Sequence, residues 1–88
     1  MDKSQQRALK AKAHSLKPVV RLGQKGLTDN VLSEVDLALD HHELIKIKIP
    51  GGEKSDRLEV AEMICSKLSA EFVGLIGQVA ILYREQTD

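Results

Sequence analysis

The segment Gly23-Gln24-Lys25-Gly26 contains residue types that could bind a phosphate group. Two glycines three positions apart let the chain turn sharply and bring its backbone close to a bulky partner. A helix is expected to begin after Thr28, a good N-cap, and its first N–H groups and positive dipole end favour an anion. Lys25 adds a mobile positive charge. The segment is therefore a candidate clamp for a nucleic-acid backbone, although a plain strand-to-helix turn can have the same sequence.

Positive charge is concentrated around this loop. Residues 1–27 carry seven Lys and Arg residues against Asp2 alone, whereas residues 28–45 carry five acidic residues and no Lys or Arg. The chain of 88 residues is neutral overall, with 13 basic and 13 acidic residues. Such an asymmetric distribution allows a neutral protein to present one strongly positive side, which suits a polyanionic partner.

The first helix is expected to carry part of this charge as a stripe. The sequence predicts that it begins near Ser4, as its N-cap, and ends near Leu16, before Pro18. Four basic or titratable side chains recur at helical spacing along it: Arg7, Lys10, His14 and Lys17. Acidic residues that could pair with them at i, i+4 are missing, which favours an external anion.

Hydrophobic periodicity predicts alternating helices and strands after this helix. Strands are expected at 19–22, 44–49, 72–76 and 79–83, and helices from Thr28 and over 56–69, the latter with an Asp56–Glu59 capping box. Lys46 and Lys48 alternate with isoleucines and should lie on the face turned away from them. Two strand-helix-strand steps and a terminal hairpin at Gly77-Gln78 predict a mixed four-stranded sheet.

Several function classes lack their signatures in this chain. Phe72 and Tyr83 are the only large aromatic residues, which argues against base stacking on an aromatic sheet and favours contact with phosphates, sugars and shape. The sequence has no dinucleotide or P-loop fingerprint and no paired acid–base candidates, so we expect neither an enzyme nor a cofactor, and no small-molecule substrate. His41 and His42 lack a second ligand cluster for a metal. No apolar run could span a membrane, and the single cysteine, Cys65, fits a reducing compartment, so we expect a cytoplasmic location.

Three stretches together resemble the CRM domain, named for chloroplast RNA splicing and ribosome maturation, and in particular the stand-alone bacterial YhbY-like proteins. They are Leu16 to Thr28, which contains the Leu-Lys-Pro run and the Gly-X-X-Gly loop, then His42 to Lys48, and Val79 to Arg84. The resemblance covers residues 4–84. Residues 1–88 are therefore expected to form a single domain of this type.

The resemblance implies an α/β fold with the order α-β-α-β-α-β-β, which we expect as two layers around a four-stranded mixed sheet, similar to the C-terminal domain of translation initiation factor three. It implies RNA binding and association with large-subunit ribosomal RNA or its precursor particle. The family's loop corresponds to residues 23–26, and its basic first helix to Arg7, Lys10 and Lys17. With the other basic candidates, the expected RNA-binding residues are Gly23, Gln24, Lys25, Gly26, Arg7, Lys10, Lys17, Arg21, Lys46, Lys48 and Arg84.

A protein-interaction module is the main alternative from the sequence. The second helix carries Glu34, Asp36 and Asp40, and this acidic surface could dock on a basic ribosomal or assembly protein. Loss of co-sedimentation with ribosomal particles after nuclease treatment would favour RNA over this alternative.

Overall fold

The computed structural model describes residues 1–86. The helices are α1 (Lys3–Ala13), α2 (Asp29–His42) and α3 (Lys54–Leu68), and the strands are β1 (Pro18–Arg21), β2 (Leu44–Lys48), β3 (Glu71–Ile76) and β4 (Val79–Tyr83). The α-β-α-β-α-β-β order expected from the sequence is confirmed.

The four strands form one mixed sheet with the order β1-β2-β4-β3. β1 pairs in parallel with β2, while β4 pairs antiparallel with both β2 and β3. β3 and β4 are joined by a two-residue hairpin in which Gly77 has φ +61° and Gln78 does not have a positive φ. This is the pattern of a type II′ turn, whose twist matches that of the flanking strands.

Helices cover both faces of the sheet, so the described fold has three layers rather than the expected two. On one face, α2 and α3 cover the larger core, to which β2 contributes Ile45 and Ile47. On the other face, α1 packs Ala13 against Leu44 and Ile81 in a separate, smaller core. Because neighbouring residues of a strand point to opposite faces, β2 and β4 are apolar on both sides where α1 crosses them.

The ends of α1 and α3 differ from the sequence prediction. Asp2, not Ser4, caps α1, because its Oδ1 accepts the Gln5 N–H at 2.7 Å. The capping interaction of α3 lies one turn earlier than expected, with the Glu53 N–H donating to Asp56 Oδ2 at 3.1 Å. Helix propensity does not distinguish neighbouring capping residues, so such shifts follow from the local backbone path.

α1 also ends at Ala13 rather than at Leu16. The Lys46 ammonium group of β2 donates to the backbone oxygens of His14 at 3.5 Å and Leu16 at 3.0 Å. These bonds satisfy carbonyls at the end of the helix that would otherwise need water or a cap. The terminating partner is about 30 residues away in the chain, so local sequence signals could not reveal it.

Candidate nucleic-acid interface

The loop of residues 23–26 is a tight turn that is accessible to solvent and follows the carboxyl end of β1. The Gly26 N–H donates to the Gly23 oxygen at 3.0 Å, and the two glycines form an isolated antiparallel bridge. Gly26 has φ +70°, a conformation that favours glycine. Gln24 and Lys25 are exposed at the tip, and no atom would lie within 4 Å of a Cβ placed on either glycine. A bulky partner can therefore reach the backbone at both glycines.

The start of α2 behind this loop is capped by Thr28 as the sequence predicts. Thr28 Oγ1 accepts the Val31 N–H at 3.2 Å, and Asp29 lies in the first turn. Both features stabilise the helix end. The Asp29 carboxylate also means that any anion would be held by the loop backbone and Lys25 more than by this helix terminus.

A row of four residues crosses the sheet beside the loop. Strand register pairs Arg21 with Lys48, Lys48 with Val79, and Val79 with Ile76. Neighbouring strands are about 4.8 Å apart, so the row extends for roughly 15 Å. All four side chains lie on the α1 face, because alternate residues of β2 form the larger core. Ile76 is 65% exposed, which shows that α1 leaves this end of the sheet open.

One flank of α1 adds further cations to the same open half of the sheet. Positions 3, 6, 7 and 10 share a side at about 100° per residue, and they line a common surface depression. Gln6 Nε2 donates to the Val73 oxygen at 2.7 Å. The Lys10 stem lies over Gly74, where a Cβ would come within 2.7 Å of Lys10 Cε. Gly74 is two residues before Ile76, so Arg7 and Lys10 border the row.

The cations of this surface have no acidic partners within the described residues. The ion pairs among residues 1–86 join the N-terminal amine to Glu71, and Arg84 to Asp36 and Asp40. Four of the five acidic residues of 28–45 belong to α2, on the opposite side of the sheet, and the fifth, Glu43, follows the end of that helix. We call the loop together with Arg21, Lys48, Arg7 and Lys10 the basic face; Val79 and Ile76 lie between its two pairs of cations.

Three candidates from the sequence occupy other positions. Lys46 is on the same side of the sheet, but its ammonium group bonds the carbonyls at the end of α1. Lys17 lies beyond the end of α1, so the helical spacing that grouped it with Arg7 and Lys10 does not apply. It lines a groove on the other flank of α1.

Arg84 follows β4 and has internal partners. Its guanidinium donates to Asp36 Oδ1 and Asp40 Oδ1, both at 2.8 Å, and to the backbone oxygens of Leu68 at 2.9 Å and Asp36 at 3.1 Å. These bonds connect the end of the sheet to α2 and α3. Arg84 therefore has a structural role here, and we leave it out of the basic face.

Val79 and Ile76 were not expected at this surface from the sequence. Their apolar character suggested burial, and only the strand register shows that they continue the row of Arg21 and Lys48. No local sequence signal identified these two residues.

Within residues 1–86, no helix is long and apolar enough to cross a membrane. In the same part of the chain, no three His, Cys, Asp or Glu side chains come together as metal ligands would. His41 Nδ1 instead lies 2.8 Å from the Leu37 oxygen, one turn earlier in α2. Such a bond is typical of a histidine at the end of a helix.

Comparison with known proteins places residues 1–84 under a single family model, that of the CRS1 / YhbY (CRM) domain. A Haemophilus influenzae protein named as an RNA-binding protein is 44% identical over 80 residues, which are 91% of this chain and 81% of the relative. A Pseudomonas aeruginosa protein named as a probable RNA-binding protein is 36% identical over 85 residues, which cover 97% and 82% of the two chains.

The fold also matches a solved structure. A Staphylococcus aureus protein, described as a hypothetical protein and candidate RNA-binding protein, has a solution structure with a TM-score of 0.89 to this chain. The two are 30% identical, and the match covers 100% of this chain and 92% of the other. The α/β fold with its mixed four-stranded sheet is thus shared with a protein whose structure was determined by experiment.

Proposed function

We propose, since the chain belongs to the CRS1/YhbY (CRM) domain family, that it is a non-catalytic protein that binds structured RNA through its basic face. The observation that carries the proposal is the row Arg21–Lys48–Val79–Ile76 beside the open Gly-X-X-Gly loop. The names of the relatives supply independent support.

The composition of the basic face indicates how the RNA would be recognised. Its cations are unpaired within residues 1–86 and exposed or half-exposed, so they can replace counterions of the RNA phosphates, which are then released into solvent. The open glycine loop allows backbone N–H groups to approach a phosphate closely. Because the row contains no aromatic side chain, bases cannot stack on a ring there, and the shape and charge of the RNA should contribute most of the affinity of this face.

We further propose that the target is large-subunit ribosomal RNA in its precursor particle, in the cytoplasm. The support for this target is the family resemblance, together with a surface that suits folded RNA more than a single strand. Crosslinking in cells followed by sequencing of the attached RNA tests it. Reads concentrated on large-subunit RNA are expected, and reads spread over unrelated transcripts would refute this target without refuting RNA binding.

The test of the basic face uses two double variants that remove the same charge. Arg21→Gln with Lys48→Gln neutralises the row, whereas Lys54→Gln with Lys67→Gln neutralises two exposed lysines of α3 on the other side of the sheet. Each phosphate contact contributes about 0.7–0.9 to the slope of log affinity against log salt. The row variant should therefore lower this slope by about 1.5 and weaken binding to a structured RNA fragment about tenfold or more.

The α3 variant should leave both the slope and the affinity within twofold of the original chain. Equal effects of the two variants would mean that net charge alone matters and would refute the proposed face. The melting temperature of each variant serves as the control for folding. A docking role for the acidic surface of α2 is less favoured, since Asp36 and Asp40 are already bound to Arg84.

A further inference from the structure

A second concave site lies on the flank of α1 opposite the basic face. It is a groove of about 390 Å³ between α1, β1 and the amino end of β2. Six residues with large apolar or aromatic side chains line most of it: Leu9, Leu16, Val19, Leu44, Ile45 and Tyr83. Leu16 is 39% exposed and Val19 is 50% exposed. The volume falls within the roughly 300–1,000 Å³ of pockets that hold small ligands.

The rim of this groove is positive at the end of α1. Lys12 and Lys17 both line it, and neither forms an ion pair within residues 1–86. His42 and Glu43 line the other side, and the Glu43 carboxylate accepts the Gln86 N–H at 2.9 Å. The two lysines outnumber the one carboxylate, so an occupant of matching chemistry has a flat or compact apolar part, with its negative charge on the side of Lys12 and Lys17.

The groove is also within reach of the basic face. The outer side of α1 between the two flanks carries the small, exposed side chains Ala8 and Ala11. An α-helix is about 10–12 Å across with its side chains, and less where these are methyl groups. An RNA strand that contacts Arg7 and Lys10 can therefore cross α1 over the alanines and reach Lys12 within a few nucleotides.

We propose that the groove binds one unpaired RNA base, with the adjoining phosphates held by Lys12 and Lys17. A nucleotide supplies the apolar ring and the neighbouring charge in a single unit. Tyr83 gives the groove an aromatic side chain, which the basic face lacks. Folded RNA presents such bases in bulges and loops. The inference rests on the proposed function, and it adds a preference for RNA that contains a bulged nucleotide.

The experiment compares two RNA hairpins that differ by one bulged nucleotide, with each bound to the original chain. Stacking of a base on a protein side chain increases affinity about fivefold or more. We expect the bulged hairpin to bind about tenfold more tightly. Leu16→Ser should remove this preference while leaving the affinity for the perfect hairpin unchanged. Leu37→Ser is the matched control, since Leu37 is 58% exposed on α2 and lies outside the groove.

The outcomes separate this inference from the proposed function. Should the Arg21 and Lys48 double variant bind both hairpins as well as the original chain does, the basic face fails. Suppose instead that the Arg21 and Lys48 double variant binds both hairpins more weakly. If Leu16→Ser then still prefers the bulged hairpin, or if the original chain shows no such preference, the groove inference alone is overturned. A further measurement follows the amide resonances of Val19 and Leu44. If an acidic amphipathic peptide shifts them and the bulged hairpin does not, the groove is a protein-binding site and the inference is refuted.

Discussion

Replacement of Arg84 by methionine tests whether this residue is structural, as its hydrogen bonds indicate, or part of the RNA surface. Methionine keeps an apolar side chain of similar reach and removes all four bonds made by the guanidinium. The two carboxylates are half or more exposed, at 50% for Asp36 and 63% for Asp40. Solvent screening limits each of these ion pairs to about 0.5 kcal/mol.

The hydrogen bonds from Arg84 to backbone oxygens contribute more to the free energy of unfolding. The Leu68 and Asp36 oxygens receive bonds from a charged donor that is only 20% exposed, each of which stabilises by about 1 kcal/mol or slightly more. The sum for Arg84→Met is a loss of about 3 kcal/mol. For a domain of this size, that corresponds to a fall in melting temperature of roughly 12–24 °C.

Thermal unfolding followed by circular dichroism measures this loss, with RNA affinity measured at a temperature where the variant is folded. We expect the RNA affinity of Arg84→Met to stay within twofold of the original chain. Arg84→Lys should lose less stability, because an ammonium group keeps the charge but cannot span all four acceptors. An unchanged melting temperature, or a fall in RNA affinity as large as that of the Arg21 and Lys48 variant, would contradict the structural role.

Three further predictions concern the loop, the α1 flank and the core. Gly26→Ala places a Cβ on a residue with φ +70°, and this backbone strain should destabilise the chain by about 1 kcal/mol in urea unfolding. Gly23→Ala puts its Cβ into open space and should weaken RNA binding without altering stability. Equal stabilities of the two variants would contradict the strain at Gly26. Gly74→Ala should move the end of the Lys10 side chain, since its Cε lies 2.7 Å from the new Cβ. RNA affinity should fall, but less than in Lys10→Gln, because the charge is kept. An unaltered affinity would show that the position of Lys10 over Gly74 is not needed. Burial raises the pKa of the Cys65 thiol from 9.0 to about 11, so the thiol ionises at a lower pH in the unfolded chain than in the folded one. The free energy of unfolding should therefore fall by roughly 2 kcal/mol as the pH rises from below 9 to 11. Cys65→Ala should lack this part of the pH dependence, and identical stability profiles of the two proteins against pH would refute the prediction.

Periodicity was sufficient to predict the order of helices and strands, because each element in this chain buries a regular apolar pattern. Residue types alone were sufficient to predict the turn at the loop, since two glycines and a capping threonine act locally. The position of α1 was not predicted, although a signal existed. β4 is apolar at every position from Val79 to Tyr83, which is typical of a strand buried on both faces.

The candidate site was predicted less completely than the fold, for a physical reason. A charged side chain at one position is equally compatible with solvent, RNA or an internal carbonyl. The difference for Lys46 and Arg84 comes from partners about 30 and up to 48 residues away. Only the register of the sheet shows that Arg21 and Lys48 are neighbours, and that two apolar residues complete their row.

The three-layer arrangement allows a neutral chain to present a positive face, as the proposed function requires. If α1 lay on the same face as α2, its lysines and arginines would lie close to the acidic residues of 28–45 and would be neutralised by them. The sheet instead separates the two helices, and Arg84 pairs with two of the acidic side chains and offsets one of their two negative charges. The Debye length in physiological salt is about 8 Å, which is less than the thickness of the sheet with its side chains. An RNA that approached the proposed site would therefore experience mainly the charge of the basic face, and the net charge of zero would have little influence on its binding.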